Sequence, residues 1–301
     1  MSSIRRLLVV VDADVFPSPA VLRALELARR SGARVDLFEP LFDLRIAGLA
    51  EAVDGEVEAL AREQLLTQHR QRLEQWAGEQ QRLGLSLGVE VAWVPELYEA
   101  VNERCAAGGG DLVVKDLRFQ SFLRAWSVVH PDDLKLARRC RVPLWLVQAG
   151  SRHLPRAVMA AVDPIHPLSR PSGLDDQVLA QALQLARASE ARLQLIHVFP
   201  FRPARLGSAA RVNALVEQQR LEDAERFNAF ADHHSVPPEQ RVLLTGEPAE
   251  MILTAVASQG IELLVLGAEY RDGLDRFLLG SQAEALVRHA GCDLLLIHPA
   301  G

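Results

Sequence analysis

The chain contains few cysteines. Among its 301 residues there are three, Cys105, Cys140 and Cys292, and they lie far apart in the sequence. No Cys-x-x-Cys pair and no Cys/His cluster is present, so neither a disulfide framework nor a zinc site is indicated. We expect three reduced thiols that are buried or chemically inactive, as in a protein of the reducing cytoplasm.

Aromatic residues are scarce, and the chain has no excess of positive charge. Phe, Trp and Tyr make up 5% of the chain, and 33 Lys and Arg stand against 39 Asp and Glu, which gives a net charge of −6. A mildly acidic protein does not attract phosphate backbones over long range, and few aromatic rings are available for base stacking. The composition therefore disfavours nucleic acid as a partner.

Long hydrophobic runs are absent as well. The N-terminal apolar run, Leu7–Val11, ends at Asp12 and is too short for a signal peptide or a membrane span. We therefore expect a cytoplasmic protein without a membrane partner. With 49% hydrophobic and 24% charged residues, the chain has the composition of a globular protein. Its length suits two domains.

An internal repeat organises the sequence. The segment Ala-Leu-Glu-Leu-Ala-Arg at 24–29 recurs as Ala-Leu-Gln-Leu-Ala-Arg at 182–187. A period near 150 residues is too long for a solenoid and indicates a duplicated domain. A short polar stretch with Gly and Pro, 148–155, separates the copies. We predict a first domain at 1–150 and a second at 151–301.

Each half alternates short apolar runs with longer segments of helical periodicity. Strands are predicted at 7–11, 35–38, 89–93, 112–114 and 144–147, then at 157–162, 193–199, 242–244, 263–266 and 294–297. Helices are predicted at 18–31, 56–83, 96–107 and 132–140, then at 175–189, 209–234, 248–258 and 281–290. The pattern predicts an α/β protein with two tandem doubly wound, Rossmann-like parallel sheets of five strands each. Such sheets bind ligands at the carboxyl ends of their strands.

A glycine-containing segment follows the fourth strand of the second half. It runs from Leu266-Gly267 to Gly280-Ser281, where a helix begins. Glycines allow a phosphate to approach the backbone, and a helix N-terminus favours an anion. Ser281 could cap the helix or contact a phosphate. On the glycine spacing alone, a tight strand-to-helix connection without a ligand is the favoured interpretation.

This segment resembles the universal stress protein signature Gly-x2-Gly-x9-Gly-[Ser/Thr]. An Asp after the first strand, Gly246-Glu247-Pro248 before a helix and the final Cys-Asp-Leu-Leu-Leu-Ile strand also resemble that family. The resemblance covers both halves and is greatest for the tandem-domain branch. It implies the adenine nucleotide alpha hydrolase-like form of the Rossmann-like fold in each half.

In nucleotide-binding members of the family, the loop holds the phosphates and ribose of ATP, bound with Mg²⁺, and the first two strands contact the adenosine. The resemblance therefore implies five cofactor-binding residues in the second half: Asp163, Val198, Gly267, Gly280 and Ser281. The second glycine of the signature is replaced by Tyr270. Its side chain could block the phosphate path or stack on a ligand.

The first half has no such loop. Counting from its fourth strand, Asp116 stands at the position of the first glycine, beside Lys115, and Val128-Val129 replace the final Gly-Ser. We expect Asp116 to repel a triphosphate unless a metal ion lies between them. We therefore predict that this half is structural or binds something other than ATP, while Asp12 after its first strand caps a loop or helix.

Enzyme signatures are missing. The chain has no Gly-x-x-x-x-Gly-Lys-[Ser/Thr], no Gly-x-Gly-x-x-Gly after a first strand and no Gly-x-Ser-x-Gly. We assign no catalytic residues and no metal ligands. Of nine histidines, His166 alone follows a predicted ligand edge, and His197 is expected to pack inside a strand.

We expect a non-catalytic tandem universal stress protein that acts in stress resistance by binding a nucleotide, a small molecule or a partner. Its halves are expected to pack as an internal pseudo-dimer, and a homodimer is also compatible with the sequence. One alternative is a weak ATP hydrolase or phosphate-transfer switch, modified at Ser281. Another is a carrier of an apolar small molecule or lipid, held under the long second helix of the first half.

Overall fold

The computed structural model describes residues 4–123, 126–150, 153–165, 173–200, 210–268 and 280–299. Within these ranges, only the backbone is described for 119–123, 126–128, 210–213 and 281. The chain divides into two compact units, Ser2–Leu154 and Pro155–Gly301, which we call the first and second domains. The domain boundary at 150 and 151 remains a prediction.

The first domain is a parallel sheet with helices between its strands. Its elements are β1 (Arg6–Val10), α1 (Pro19–Ser31), β2 (Arg34–Leu41), α2 (Leu44–Ala47), α3 (Leu49–Ala52), α4 (Gly55–Arg82), β3 (Leu87–Trp93), α5 (Leu97–Ala106), β4 (Leu112–Asp116), β5 (Phe119–Leu123), β6 (Trp126–Val129), α6 (Pro131–Arg139) and β7 (Leu144–Val147). The strand order is β3-β2-β1-β4-β7, all parallel.

The second domain repeats this arrangement. Its elements are β8 (Ala157–Ala161), α7 (Leu174–Ser189), β9 (Arg192–Pro200), α8 (Ala210–His233), a 3₁₀ turn (Pro238–Gln240), β10 (Arg241–Gly246), α9 (Pro248–Gln259), β11 (Leu263–Gly267), α10 (Ser281–His289) and β12 (Asp293–Ile297). The strand order is β10-β9-β8-β11-β12, again all parallel.

The apolar runs of the sequence become the buried strands. Every residue of β7 and of β12 is buried, as expected where helices cover both faces of a parallel sheet. Helix α1 shows how a helix is delimited locally. The Ser18 hydroxyl accepts the Val21 N–H at its start, and Gly32 ends it at φ +73°, a left-handed conformation that suits glycine.

The predicted α/β class with tandem parallel sheets is confirmed, and each predicted strand and helix is present within three residues of its predicted ends. Two features of the first domain were not predicted. The short helices α2 and α3 follow β2, and an antiparallel hairpin, β5–β6, joins β4 to α6. Among the described helices, none has both the length and the apolar character that a membrane crossing requires.

Candidate functional site

The predicted ligand edge of the second domain is formed by two neighbouring strands. Asp163 lies two residues beyond the end of β8, and Gly267 is the last residue of β11. These strands pair directly, and the chain order reverses between them, since β9 lies on the other side of β8. Open α/β sheets bind ligands at such a switch point. The fold therefore brings Asp163 and Gly267 to the same sheet edge.

Two neighbours hold the Asp163 segment in place. The Asp163 N–H donates to Asp175 Oδ1 at 3.0 Å. His197 Nδ1 lies 3.0 Å from the Val162 carbonyl oxygen and 3.8 Å from Asp163 Oδ1. His197 is buried and its ring stacks on Phe227, as expected for a histidine packed inside a strand. Next to it on β9, Val198 is also buried, so its contribution to this edge is apolar packing.

Packing explains the glycine at position 267. A Cβ at Gly267 would lie 2.8 Å from Leu174 Cδ2 at the start of α7, which is closer than carbon atoms approach. Glycine at this position therefore permits the close contact between β11 and the Leu174 side chain of α7, whether or not a phosphate binds nearby.

Helix α10 starts without a side-chain cap. Gly280 is its N-cap residue and forms no side-chain capping hydrogen bond, while Ser281 is the first helical residue. The expectation that Ser281 caps the helix is therefore wrong, because the helix begins one residue earlier than the cap role requires. Tyr270 and His166 lie outside the described residues.

The first domain contains a cavity of about 530 Å³ at the carboxyl edge of its own sheet. It lies beyond the carboxyl ends of β1 and β4, the paired strands between which the chain order reverses. Its wall is formed by loop residues, by helix α4 and by residues around the start of α6. Apolar side chains in the wall include Leu65 and Phe42, and charged ones include Asp12, Lys115 and Arg118. A volume of this size suits a small organic ligand.

The two cations of this cavity are engaged by carboxylates of the protein itself. Lys115, 4% exposed, places Nζ 2.8 Å from Oδ1 of the fully buried Asp133. Arg118 lies 3.6 Å from the same oxygen and 3.5 Å from Asp12 Oδ2. The Arg118 backbone N–H also donates to Asp133 Oδ2 at 2.8 Å. Asp133 thus supplies an anion inside the domain, and both cations are already neutralised.

The Asp116 carboxylate is hydrogen-bonded at the start of α1. Its Oδ1 accepts the Ala20 N–H at the start of α1 at 2.9 Å, and the side chain is not among the groups that line the described cavity. The strand end directs this carboxylate to a helix N-terminus, and the expected repulsion of a triphosphate by Asp116 stays a prediction. Burial raises the pKa of Asp116. Asp12 accepts the Asp14 N–H at 3.0 Å and so caps its loop, as predicted.

Two histidines line the cavity, and their hydrogen bonds define their tautomers. His130 is the N-cap of α6, and its Nδ1 accepts the Asp132 N–H at 3.2 Å. Burial, together with the nearby Arg118, lowers the pKa of His130. It is therefore neutral at pH 7, with its proton on Nε2.

The second cavity histidine is oriented by a buried carboxylate. His69 Nδ1 lies 3.0 Å from Oε1 of Glu39, which is fully buried, and Arg72 Nη2 lies 2.6 Å from the same oxygen. Since an ionised carboxylate only accepts, His69 donates through Nδ1, and in the neutral ring Nε2 is then an acceptor. Sequence reasoning missed both Glu39 and Asp133. The signal for Glu39 was an acidic residue inside an otherwise apolar strand, and for Asp133 an adjacent pair of acids at a helix start.

Known proteins resemble the chain along its length. A family model described as the universal stress protein family matches residues 156–298. Universal stress protein E of Salmonella typhi is 24% identical over 316 residues, covering 99% of this chain and 96% of the relative. A universal stress protein of Thermus aquaticus, named for the QAH/OAS sulfhydrylase 3′ region, is 37% identical over 113 residues, covering 37% of this chain and 81% of the relative.

The fold has a counterpart among solved structures. A protein of Pseudomonas aeruginosa PAO1, described as functionally unknown, superposes with a TM-score of 0.76 at 22% identity, covering 99% of this chain and 93% of that one. At this identity the likeness shows the fold alone. Taken with the family match and the relatives, the sequence and the tandem parallel sheets lead to one conclusion: the chain belongs to the universal stress protein family.

Proposed function

We propose that the chain is a non-catalytic stress-response protein whose second domain binds ATP with Mg²⁺ at the carboxyl edge of its sheet. Membership of the universal stress protein family supports the stress-response role. One observation carries the nucleotide proposal. Asp163 and Gly267 flank the point where the strand order reverses, which is the ligand position of this sheet type.

The residues present are compatible with a nucleotide. Asp163, Val198, Gly267, Gly280 and Ser281 would hold it. Gly280 leaves the start of α10 without a side-chain cap, so the first N–H groups of that helix suit an anion. The bound group would supply a triphosphate whose charge these amides and the Mg²⁺ balance.

The corresponding helix of the first domain supports an asymmetric assignment. In α6 the His130 side chain caps the helix, and Asp132 and Asp133 lie in its first turn. Those carboxylates already interact with the helix dipole and would repel a phosphate. Helix α10 has one acid in its first turn, Glu284, which pairs with Arg288 at 2.8 Å, so the comparison favours α10 over α6 as the anion site.

The proposal is tested by titrating the full chain with ATP and Mg²⁺ in a calorimeter. Asp163→Ala and Gly280→Trp should each weaken binding by at least tenfold. Asp12→Ala is the matched control, since Asp12 lies two residues beyond β1 as Asp163 lies two beyond β8. Absence of heat with the unaltered chain, or equal losses for Asp12→Ala and Asp163→Ala, would refute the proposal.

Gly267→Ala is unsuitable for this test because its Cβ would strike Leu174 and change the packing. Phosphate release is measured on the same samples. Steady release that disappears with Gly280→Trp would replace the non-catalytic proposal with the weak hydrolase. Binding without release supports the proposal as stated.

A further inference from the structure

The first-domain cavity belongs to neither the nucleotide proposal nor the packing of the core. It lies at the switch point between β1 and β4, and its volume of about 530 Å³ far exceeds the space that a metal ion fills. Polar and apolar groups share its wall. Its charges and hydrogen-bonding groups therefore determine which ligand it would select.

The uncompensated charge of the cavity is negative. Lys115 and Arg118 face Asp133 and Asp12, as described above. Asp43, on the rim, is paired with Arg45 at 2.7 Å, and its hydrogen bond with Arg45 lowers the pKa of Asp43 to about 2.

Two other lining carboxylates have no such partner among the described residues. Asp14 is exposed and is paired with no described cation. Asp132, 44% exposed, has the neutral His130 imidazole at 3.7 Å. These two carboxylates would attract a cation and disfavour an anion.

The buried groups add a hydrogen-bonding pattern. Lys115 Nζ donates to the Asp116 carbonyl oxygen at 3.1 Å and pairs with Asp133, so one of its three N–H groups has no described acceptor. Lys115 lines the cavity and is 4% exposed, so this donor calls for an oxygen on the occupant. His69 is held through Nδ1 by the buried Glu39, and its neutral ring offers Nε2 as an acceptor for an N–H.

Apolar side chains complete the wall. Leu65 from α4 and Val94 and Leu97 near the start of α5 line the cavity. Phe42 lies on the rim, 44% exposed, with its ring centroid 5.4 Å from that of Trp93. Hydrocarbon contacts and the face of an aromatic ring both suit a cation that has an apolar body.

We propose that the first-domain cavity binds a small organic cation of the amino alcohol class, with an apolar body. Asp14 and Asp132 attract its ammonium group, His69 accepts an N–H from it, and Lys115 donates to its hydroxyl oxygen. The occupant differs in charge from the nucleotide proposed for the second domain, and the two proposals are tested independently.

Three probes that differ in one group test this assignment by calorimetry on the full chain. They are 2-amino-1-phenylethanol, which is cationic, 1-phenyl-1,2-ethanediol, which is neutral, and mandelate, which is anionic. The amine should bind about four- to 25-fold more tightly than the diol, because two unpaired carboxylates each contribute about two- to fivefold. Mandelate should be the weakest. Added salt should reduce the preference for the amine.

The double variant Asp14→Asn/Asp132→Asn locates the effect. Both side chains are at least partly exposed, so the fold should tolerate the change, and the preference for amine over diol should fall to about twofold or less. Glu103→Gln, an exposed carboxylate on α5 outside the cavity, is the control and should keep the full preference. The proposal is overturned if none of the probes binds, if mandelate binds best, or if the double variant keeps the preference of the unaltered chain. ATP affinity should be the same in the double variant and the unaltered chain.

Discussion

The buried pair of Lys115 and Asp133 gives the sharpest prediction about the first domain. Asp133 is fully buried, Lys115 is 4% exposed, and their charged atoms lie 2.8 Å apart. Asp133→Asn keeps the shape but leaves the ammonium group as a buried, uncompensated charge. Breaking such a pair costs about 3–5 kcal/mol. The neighbouring change Asp132→Asn removes a carboxylate that is 44% exposed and should cost about 0.3–1 kcal/mol through the helix dipole.

Tryptophan fluorescence during urea unfolding measures this difference. The four tryptophans, at positions 76, 93, 126 and 145, all belong to the first domain, so their signal reports its unfolding. Adding Lys115→Met to Asp133→Asn should recover at least about 2 kcal/mol, because the buried charge is then absent. Equal losses for Asp132→Asn and Asp133→Asn, or no recovery in the double variant, would refute the reasoning.

Three further predictions concern other titratable groups. Burial raises the pKa of Asp116, so its ionised form opposes folding above the unfolded pKa of about 3.9. Asp116→Asn should therefore raise the unfolding free energy at pH 7 by up to about 1 kcal/mol, and urea titrations should show this gain vanishing as the pH falls toward 4. Burial lowers the pKa of His130, so the neutral imidazole that caps α6 stabilises the fold above the unfolded pKa of about 6.5, and this stabilisation is lost as the pH falls. Between pH 7 and 5, the unfolding free energy of His130→Asn, followed by tryptophan fluorescence, should decline less than that of the unaltered chain. Burial raises the pKa of Cys105 to about 11 and those of Cys140 and Cys292 to about 12. A thiol-reactive dye at pH 8 should therefore label the folded chain slowly, with Cys105 reacting first and all three thiols reacting only after unfolding. Rapid labelling of Cys140 in the folded chain would contradict this.

Most of the fold could be predicted because burial leaves a direct trace in the sequence. Strands such as β7 and β12 are buried at every position and therefore consist of continuous apolar runs. The hairpin β5–β6 leaves no such trace, since Phe119–Leu123 and Trp126–Val129 are short, mix apolar with polar residues and lie where the family pattern has a loop.

The candidate sites could be predicted less well, because they depend on where side chains point. Counting along the chain placed Asp116 at a phosphate position, but its carboxylate turns to the N-terminus of α1. The pairing of Lys115 with Asp133 and of Glu39 with His69 joins residues far apart in sequence. One sequence without an alignment carries no record of such pairs. The predicted helix cap shows the same limit, since Gly280 rather than Ser281 takes that position.

The buried Asp133 carboxylate also bears on how each domain responds to the state of the cell. The first domain carries its own counter-anion in its covalent chain, so the charge balance around Lys115 is fixed when the protein is made. Under the nucleotide proposal, the second domain obtains its anion from solution, and its stability would rise by about 2.7 kcal/mol when free ATP reaches a hundred times the dissociation constant. The charge balance around Lys115 would then be constant, while the stability of the second domain would register the energy supply of the cell.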